Sequence, residues 1–228
     1  MKEIKILRFE NGKTTNISDL VVEERNLNIY IDEQLIDSIV YSSKYESELL
    51  FGYLYLEKFI NNAKDVYSYE VKRFEYTTNC FVKISKSKYS KVSYERKKIK
   101  GEKLFALMRE LLPKGETFAK TGGTHISGIS DGEKVIAYFE DISRRSTIQK
   151  SVGFVLLNSI PNVRVLLTSG RIGFNAVQYA ERANIQFIVS QSAPTDLAIE
   201  TAQENGITLI GFLRGNRFNI YSSHEFVI

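Results

Sequence analysis

Cys80 is the only cysteine in the sequence, and Lys83, Lys86 and Lys88 follow it closely. A thiol becomes a nucleophile as its thiolate, and nearby cations favour that form, so TTNCFVKISKSK (residues 77–88) can be read as a sulfur-handling segment. It can equally be read as a strand in which a small apolar residue packs. Three glycine-bearing segments suggest a second chemistry, the holding of an anion. In TGGTH, Gly122 and Gly123 let a ligand approach the backbone, and His125 adds an imidazole. In TSGRIGFN, an apolar run ends at Ser169, Gly170 and Arg171, and a helical pattern follows. A helix N-terminus offers unpaired N–H groups to phosphate, and the planar fork of Arg171 can close on the same anion. In GFLRGNRFNIY, Phe212 and Leu213 lead into a turn in which Arg214 and Arg217 flank Gly215-Asn216. Two guanidinium groups on a turn suit a phosphate or a guanine edge. Each segment taken alone also reads as a plain turn. Three of them on one sheet carry more weight.

The elements that must position these residues change character along the chain. LNIYIDEQLIDSIV alternates, pauses at Asp32-Glu33-Gln34 and resumes, as a hairpin does. ESELLFGYLYLEKFI (46–60) has apolar residues at helical spacing. VYSYEVKRFEYTTNCFVKIS returns to β-branched and aromatic residues, which puts Cys80 in or beside a strand. EKLFALMRELL (102–112) is a short amphipathic helix, and Pro113-Lys114-Gly115 stops it and marks a boundary between lobes. Beyond it, strand and helix patterns alternate: KVIAYFE, a helix over 143–160, VRVLLTSG, GFNAVQYAERA, IQFIVSQSAP, TDLAIETAQENG, ITLIGFLRG and FNIYSS. That rhythm predicts an α/β fold with a mostly parallel sheet covered on both faces, and a ligand at the carboxyl ends of its strands.

With 228 residues and 43% hydrophobic content, the chain can bury a sizeable core as one unit or two small lobes. One Cys and two His exclude a Cys₄ or Cys₂His₂ zinc site and an iron–sulfur cluster held by a single chain. No G-x-x-x-x-G-K-[ST] phosphate-binding loop occurs. No apolar run approaches the ~20 residues that a membrane helix needs, and the N-terminus lacks an apolar signal region. A reducing cytoplasm is therefore the expected location. The net charge of +4 is concentrated between Lys86 and Lys103, where Lys86, Lys88, Lys91, Arg96, Lys97, Lys98, Lys100 and Lys103 face only Glu95 and Glu102. This run is expected to attract phosphates or an acidic partner, or to be a solvated loop. Tyr89 and Tyr94 leave a single-stranded nucleic-acid reading open, but nucleic acid is not the expected partner.

The sequence resembles the formate dehydrogenase accessory sulfurtransferases, the FdhD family. The likeness lies in VVEERNLNIYIDEQLI, SKYESELLFGYLYLEKFI, TGGTHISGISDGEKVIAYFEDISRR, TSGRIGF and SAPTDLAIETAQENGITLIGFLRGNRFNIY. It implies a cytidine-deaminase-like three-layer α/β/α core with a smaller β-rich N-terminal lobe, the lobe over residues 1–113 and the core over 114–228. It also implies a homodimer that takes persulfide sulfur from a cysteine desulfurase. The sulfur passes to molybdenum bis-guanine-dinucleotide cofactor, bound as cargo, before insertion into formate dehydrogenase. In that reading Cys80 is the sulfur-accepting residue. Gly122, Gly123, His125, Ser169, Gly170, Arg171 and the run Phe212, Leu213, Arg214, Gly215, Asn216 and Arg217 bind the cofactor or a guanine nucleotide. The basic run draws the anion in. Deamination is excluded, since that chemistry needs H-x-E and P-C-x-x-C and neither motif is present.

Two departures from the family pattern stand out. The family's C-x-x-C is CFVK here, with Lys83 at the second cysteine. In an extended strand residues 80 and 83 point to opposite faces, so help from Lys83 requires a turn. EDISRRSTIQK keeps Asp141, Arg144 and Lys150 of the family's E-D-V-G-R-H-N-A-x-D-K but has Ser143, Arg145, Ser146 and Gln149 in place of Gly, His, Asn and Asp. A guanidinium at 145 cannot shuttle protons. The alternative to a sulfur carrier is therefore a divergent member that binds guanine nucleotide or cofactor without moving sulfur.

Overall fold

The computed structural model describes residues 1–89 and 95–228, so Lys91 and Tyr94 of the basic run lie outside the described residues. Strands β1 (Lys2–Glu10) and β2 (Lys13–Val21) form a two-stranded ribbon of their own. Asn11-Gly12 turns it, both residues at positive φ, as a tight hairpin requires. The expected second hairpin is β3 (Glu24–Ile31) and β4 (Gln34–Ser42), turned by Asp32 and Glu33 at φ 48° and 68°. Helix α1 (Glu46–Leu56) follows, then β5 (Val66–Arg73) and β6 (Thr77–Ile84). These strands order as β4-β3-β6-β5, with β3 and β6 parallel. One face of this sheet packs Leu27, Ile29, Cys80 and Val82 against Leu49, Leu50 and Leu54 of α1.

The remaining elements are α2 (Gly101–Leu111), α3 (Glu116–Thr121), β7 (His125–Ser130), β8 (Val135–Asp141), α4 (Arg144–Asn158), β9 (Val165–Thr168), α5 (Phe174–Arg182), β10 (Phe187–Ser190), α6 (Asp196–Glu204), β11 (Thr208–Arg214) and β12 (Arg217–Ser222). Their sheet runs β12-β11-β10-β9-β7-β8. Only β9–β10 and β10–β11 pair in parallel, so the sheet is mixed rather than mostly parallel. The reason is that β7–β8 and β11–β12 are joined by short turns, which force antiparallel pairing. Alternation along the strands divides the core. Leu166, Ile188 and Leu209 face α4, α5 and α6, while Val165, Leu167, Phe187, Val189 and Ile210 face α2. The three layers are thus α2, the sheet, and helices α4, α5 and α6. Because α2 belongs to this unit, the lobe change falls before Gly101 and not at Pro113.

Two contacts lock the lobes together. α1 crosses α4 at Gly52 and Gly153, each set against the other helix's backbone. A Cβ on Gly52 would lie 2.6 Å from the Gln149 carbonyl carbon, and one on Gly153 would lie 2.8 Å from that of Glu48. Beside this crossing the Lys150 ammonium meets Asp141 at 2.6 Å, both side chains fully buried. Asp141 also accepts the N–H and hydroxyl of Ser42 from β4, each at 3.1 Å. Among the described residues no helix is long and apolar enough to cross a membrane.

Candidate anion cleft and the position of the thiol

β9, β10 and β11 all end at one edge of the six-stranded sheet, and antiparallel β7 begins there. Ser169 fixes the junction of β7 and β9: its hydroxyl accepts the Ile126 N–H at 3.1 Å, and its own N–H donates to the Ile126 carbonyl at 2.9 Å. Gly170 follows, packed so closely on Arg144 that a Cβ would sit 2.8 Å from that side chain. Any larger residue here would displace Arg144. Arg171 leads into α5, whose N-cap is Gly173 and has no side-chain acceptor. The Ala176 N–H donates to the Gly173 carbonyl at 3.0 Å, which leaves the Phe174 and Asn175 N–H groups of the first turn to face a ligand. The N-terminus of α4 lies alongside, with Ser143 capping the Ser146 N–H. Between the two helix starts is a cleft of about 580 Å³ whose charged lining residues are Arg144, Arg145 and Arg171, with no carboxylate among them. Two helix N-termini and three guanidinium groups make a site for a polyanion.

His125 is near enough to feel this charge. Burial, then repulsion from Arg144 and Arg171, holds its imidazole below the ordinary 6.5. The unfolded chain binds the proton first as pH drops below that value, so this group's stabilisation is complete above it and declines below it. An anion in the cleft offsets the two arginines, and phosphate is expected to move the His125 titration upward. An imidazole NMR titration with and without phosphate measures this; an unmoved midpoint would place His125 outside the site.

Arg145 faces the same cleft, but Glu57 holds it at 2.5 Å and the Tyr179 hydroxyl accepts from its Nε. Tyr179 in turn donates to Glu57 and meets Gln149. Two of the departures from the family pattern, Arg145 and Gln149, are thus joined through one tyrosine.

The other expected binding residues divide. Gly122, at φ +66°, ends α3 by donating to the Phe118 carbonyl, and Gly123 packs on Val22. Both have clear structural work there. Arg214 and Arg217 are exposed on the β11–β12 turn around Gly215 and Asn216, with Gly215 at φ +56°. Arg214 Nε donates to the Gln191 carbonyl at 2.9 Å. β11 is two strands from β9, so this pair belongs to a separate part of the same strand-end edge. Phe212, at φ +53°, donates to the Ser192 carbonyl, whereas Leu213 is core and packs on the α2 side. Sequence reasoning left out Arg144 and the α4 N-terminus. The usable signal was Ser143 at the start of a helical pattern, a capping residue followed by two arginines.

Cys80 is placed quite differently. It lies in the interior strand β6, fully buried under α1, and burial pushes its thiol up to about 12. The expectation of a reachable, easily ionised sulfur is not met. β6 stays extended through Ile84, so Lys83 is exposed on the opposite face. At neutral pH the buried thiol is therefore ionised far less than an exposed cysteine. Alkylation of Cys80 in the folded protein is expected to be much slower than after denaturation, measurable by mass; equal rates would contradict the burial. The layer of α1 separates this sulfur from the anion cleft on α4. The basic run does not serve the cleft either, since its described part docks at the opposite edge of the large sheet, against Gln186 and Gly206.

Residues 75–228 match the FdhD/NarQ family. The protein named Sulfur carrier protein FdhD in Bacillus pumilus is 31% identical, covering 98% of this chain and 96% of that protein. Its namesake in Sulfurisphaera tokodaii is also 31% identical, over 100% and 99%. In three dimensions the chain is similar to a Desulfotalea psychrophila protein whose crystal structure is described as that of a formate dehydrogenase accessory protein, with a TM-score of 0.86, 21% identity and coverage of 100% and 99%. That likeness speaks for the fold.

Proposed function

The chain belongs to the FdhD/NarQ family, and from that premise we propose that it serves sulfur delivery to formate dehydrogenase by holding the anionic, nucleotide-bearing molybdenum cofactor at the carboxyl edge of its six-stranded sheet. The observation that carries this reading is the carboxylate-free cleft between the N-termini of α4 and α5. The residues fit the cargo's phosphates. Arg144, Arg171 and the open N–H groups of α5 would hold one pyrophosphate, His125 would sit beside it, and Arg214 and Arg217 would meet a group further along. A deaminase-like ancestry of the three-layer core agrees with a ligand at this edge. Guanosine diphosphate is the simplest probe. Arg171→Ala is expected to weaken its binding by tenfold or more, the usual worth of a charge-assisted hydrogen bond. Calorimetry reads this directly, and unchanged affinity would remove the cleft from the function.

In the carrier reading, sulfur enters through Cys80. Its thiolate attacks the terminal sulfur of a persulfide on a cysteine desulfurase, an S–S bond forms at Cys80, and the donor leaves as a thiolate. This step requires α1 to lift from β6. The second reading, a holder of cofactor that carries no sulfur, is favoured by the sealed position of Cys80 and by the lack of a second cysteine. Incubation with a desulfurase and cysteine separates the two. A mass gain of one sulfur atom, absent in Cys80→Ser, means a carrier; no gain together with intact nucleotide binding means a holder.

A further inference from the structure

The described lysines of the basic run, Lys86, Lys88, Lys97, Lys98 and Lys100, lie at the edge of the six-stranded sheet opposite the anion cleft. Both described ends of this stretch are fastened there. At one end Asn61 and Asn62 bind Ser87, and the Tyr89 ring lies 4.0 Å from the Arg182 guanidinium. At the other, Gln186 donates to the Glu95 carbonyl at 3.2 Å, Arg96 donates to the Gly206 carbonyl and stacks 3.8 Å over Phe226, and Ile99 bridges to Val227. Gln186 and Gly206 precede β10 and β11, whereas the cleft lies beyond the other ends of these strands. The basic run therefore forms a ridge of its own.

Several cations on it are already engaged: Arg96 as above, Lys86 by the Lys58 carbonyl and Lys103 by Glu133 at 2.8 Å. Lys88, Lys97, Lys98 and Lys100 are exposed, and no described carboxylate pairs with them. Four unpaired ammonium groups on a fastened backbone lose less freedom on binding than a free loop would. We propose that this ridge docks the acidic face of a partner protein. A nucleic acid fits it less well. Of the described aromatic rings at the ridge, Phe226 stacks with Arg96 and Tyr89 has one face taken by Arg182, which leaves little free ring surface for bases. Exposed Glu95 and Glu102 interrupt the lysines and give register to a protein surface that carries some basic groups among its acidic ones.

The probes are a fluorescein-labelled oligoglutamate peptide and a labelled oligothymidylate, read by anisotropy across a salt series. Wild type is expected to bind oligoglutamate with an affinity that falls with salt, and Lys97→Glu/Lys98→Glu/Lys100→Glu to bind about tenfold more weakly. The triple variant should keep its guanosine diphosphate affinity and its circular dichroism, while Arg171→Ala should keep oligoglutamate binding. This pairing separates failure of the ridge from failure of the cleft. Oligoglutamate binding that survives the triple substitution, or is lost in Arg171→Ala, overturns the proposal. Oligothymidylate bound as tightly as oligoglutamate and lost in the triple variant overturns it in favour of nucleic acid.

Discussion

Gly153→Ala unfolds at a temperature roughly 6–12 °C below wild type, a loss of about 3 kcal/mol for a chain of this size. The added methyl has nowhere to go. Its position is 2.8 Å from the Gly52 nitrogen and from the Glu48 carbonyl carbon, and closer still to the Glu48 oxygen. Those are backbone atoms of the facing helix, which no rotamer change can move. The helices must part, and the apolar contacts on both sides of the crossing loosen with them. Gly52→Ala meets the Gln149 carbonyl in the same way and should cost as much. In a solvated helix the same exchange would stabilise by up to about 1 kcal/mol. Thermal unfolding followed by circular dichroism gives the sign, and a variant as stable as wild type would mean that the helices do not cross this closely.

Lys150→Met is expected to cost about 3–5 kcal/mol, because it leaves the fully buried Asp141 carboxylate without its cation. Burial already holds the Lys150 ammonium below its ordinary range, with Asp141 acting in the opposite sense. The ion pair is therefore matched rather than strongly favourable in itself. Asp141→Leu/Lys150→Met replaces both partners with apolar groups and should recover most of the loss, short of the bonds that Ser42 and Ser143 make to Asp141. Urea denaturation of the two single variants and the double measures the coupling. Additive losses would show that the pair is not one unit.

Much of this architecture is written in local patterns. Asp32-Glu33 between alternating runs announced the β3–β4 hairpin, and the strand–helix rhythm after Phe118 placed α4, α5 and α6 within a few residues. What local pattern cannot carry is which distant surface covers which face. Alternation in β6 puts Cys80 and Val82 on one side and Phe81 and Lys83 on the other, but only the return of α1 seals the first side. The lysines after residue 86 gave their charge in the sequence and not their address, since that depends on Gln186 and Gly206, about a hundred residues away. Nothing in the two helical patterns singles out Gly52 and Gly153, because their worth arises only at the crossing. Of the site, Ser169, Gly170 and Arg171 were legible as a strand-to-helix turn. Arg144 was not, since it reaches the same cleft from a different helix.

Cys80 sits beneath a helix that is itself clamped to the rest of the molecule through Gly52. Any reagent that modifies this sulfur must first catch the chain in an excursion that frees α1. The labelling rate therefore works as a clock for that excursion, and in the fast-reclosing limit it reports how often the open form is visited. A biological sulfur donor faces the same arithmetic: it must either wait for rare openings or pry the helix up with its own binding energy.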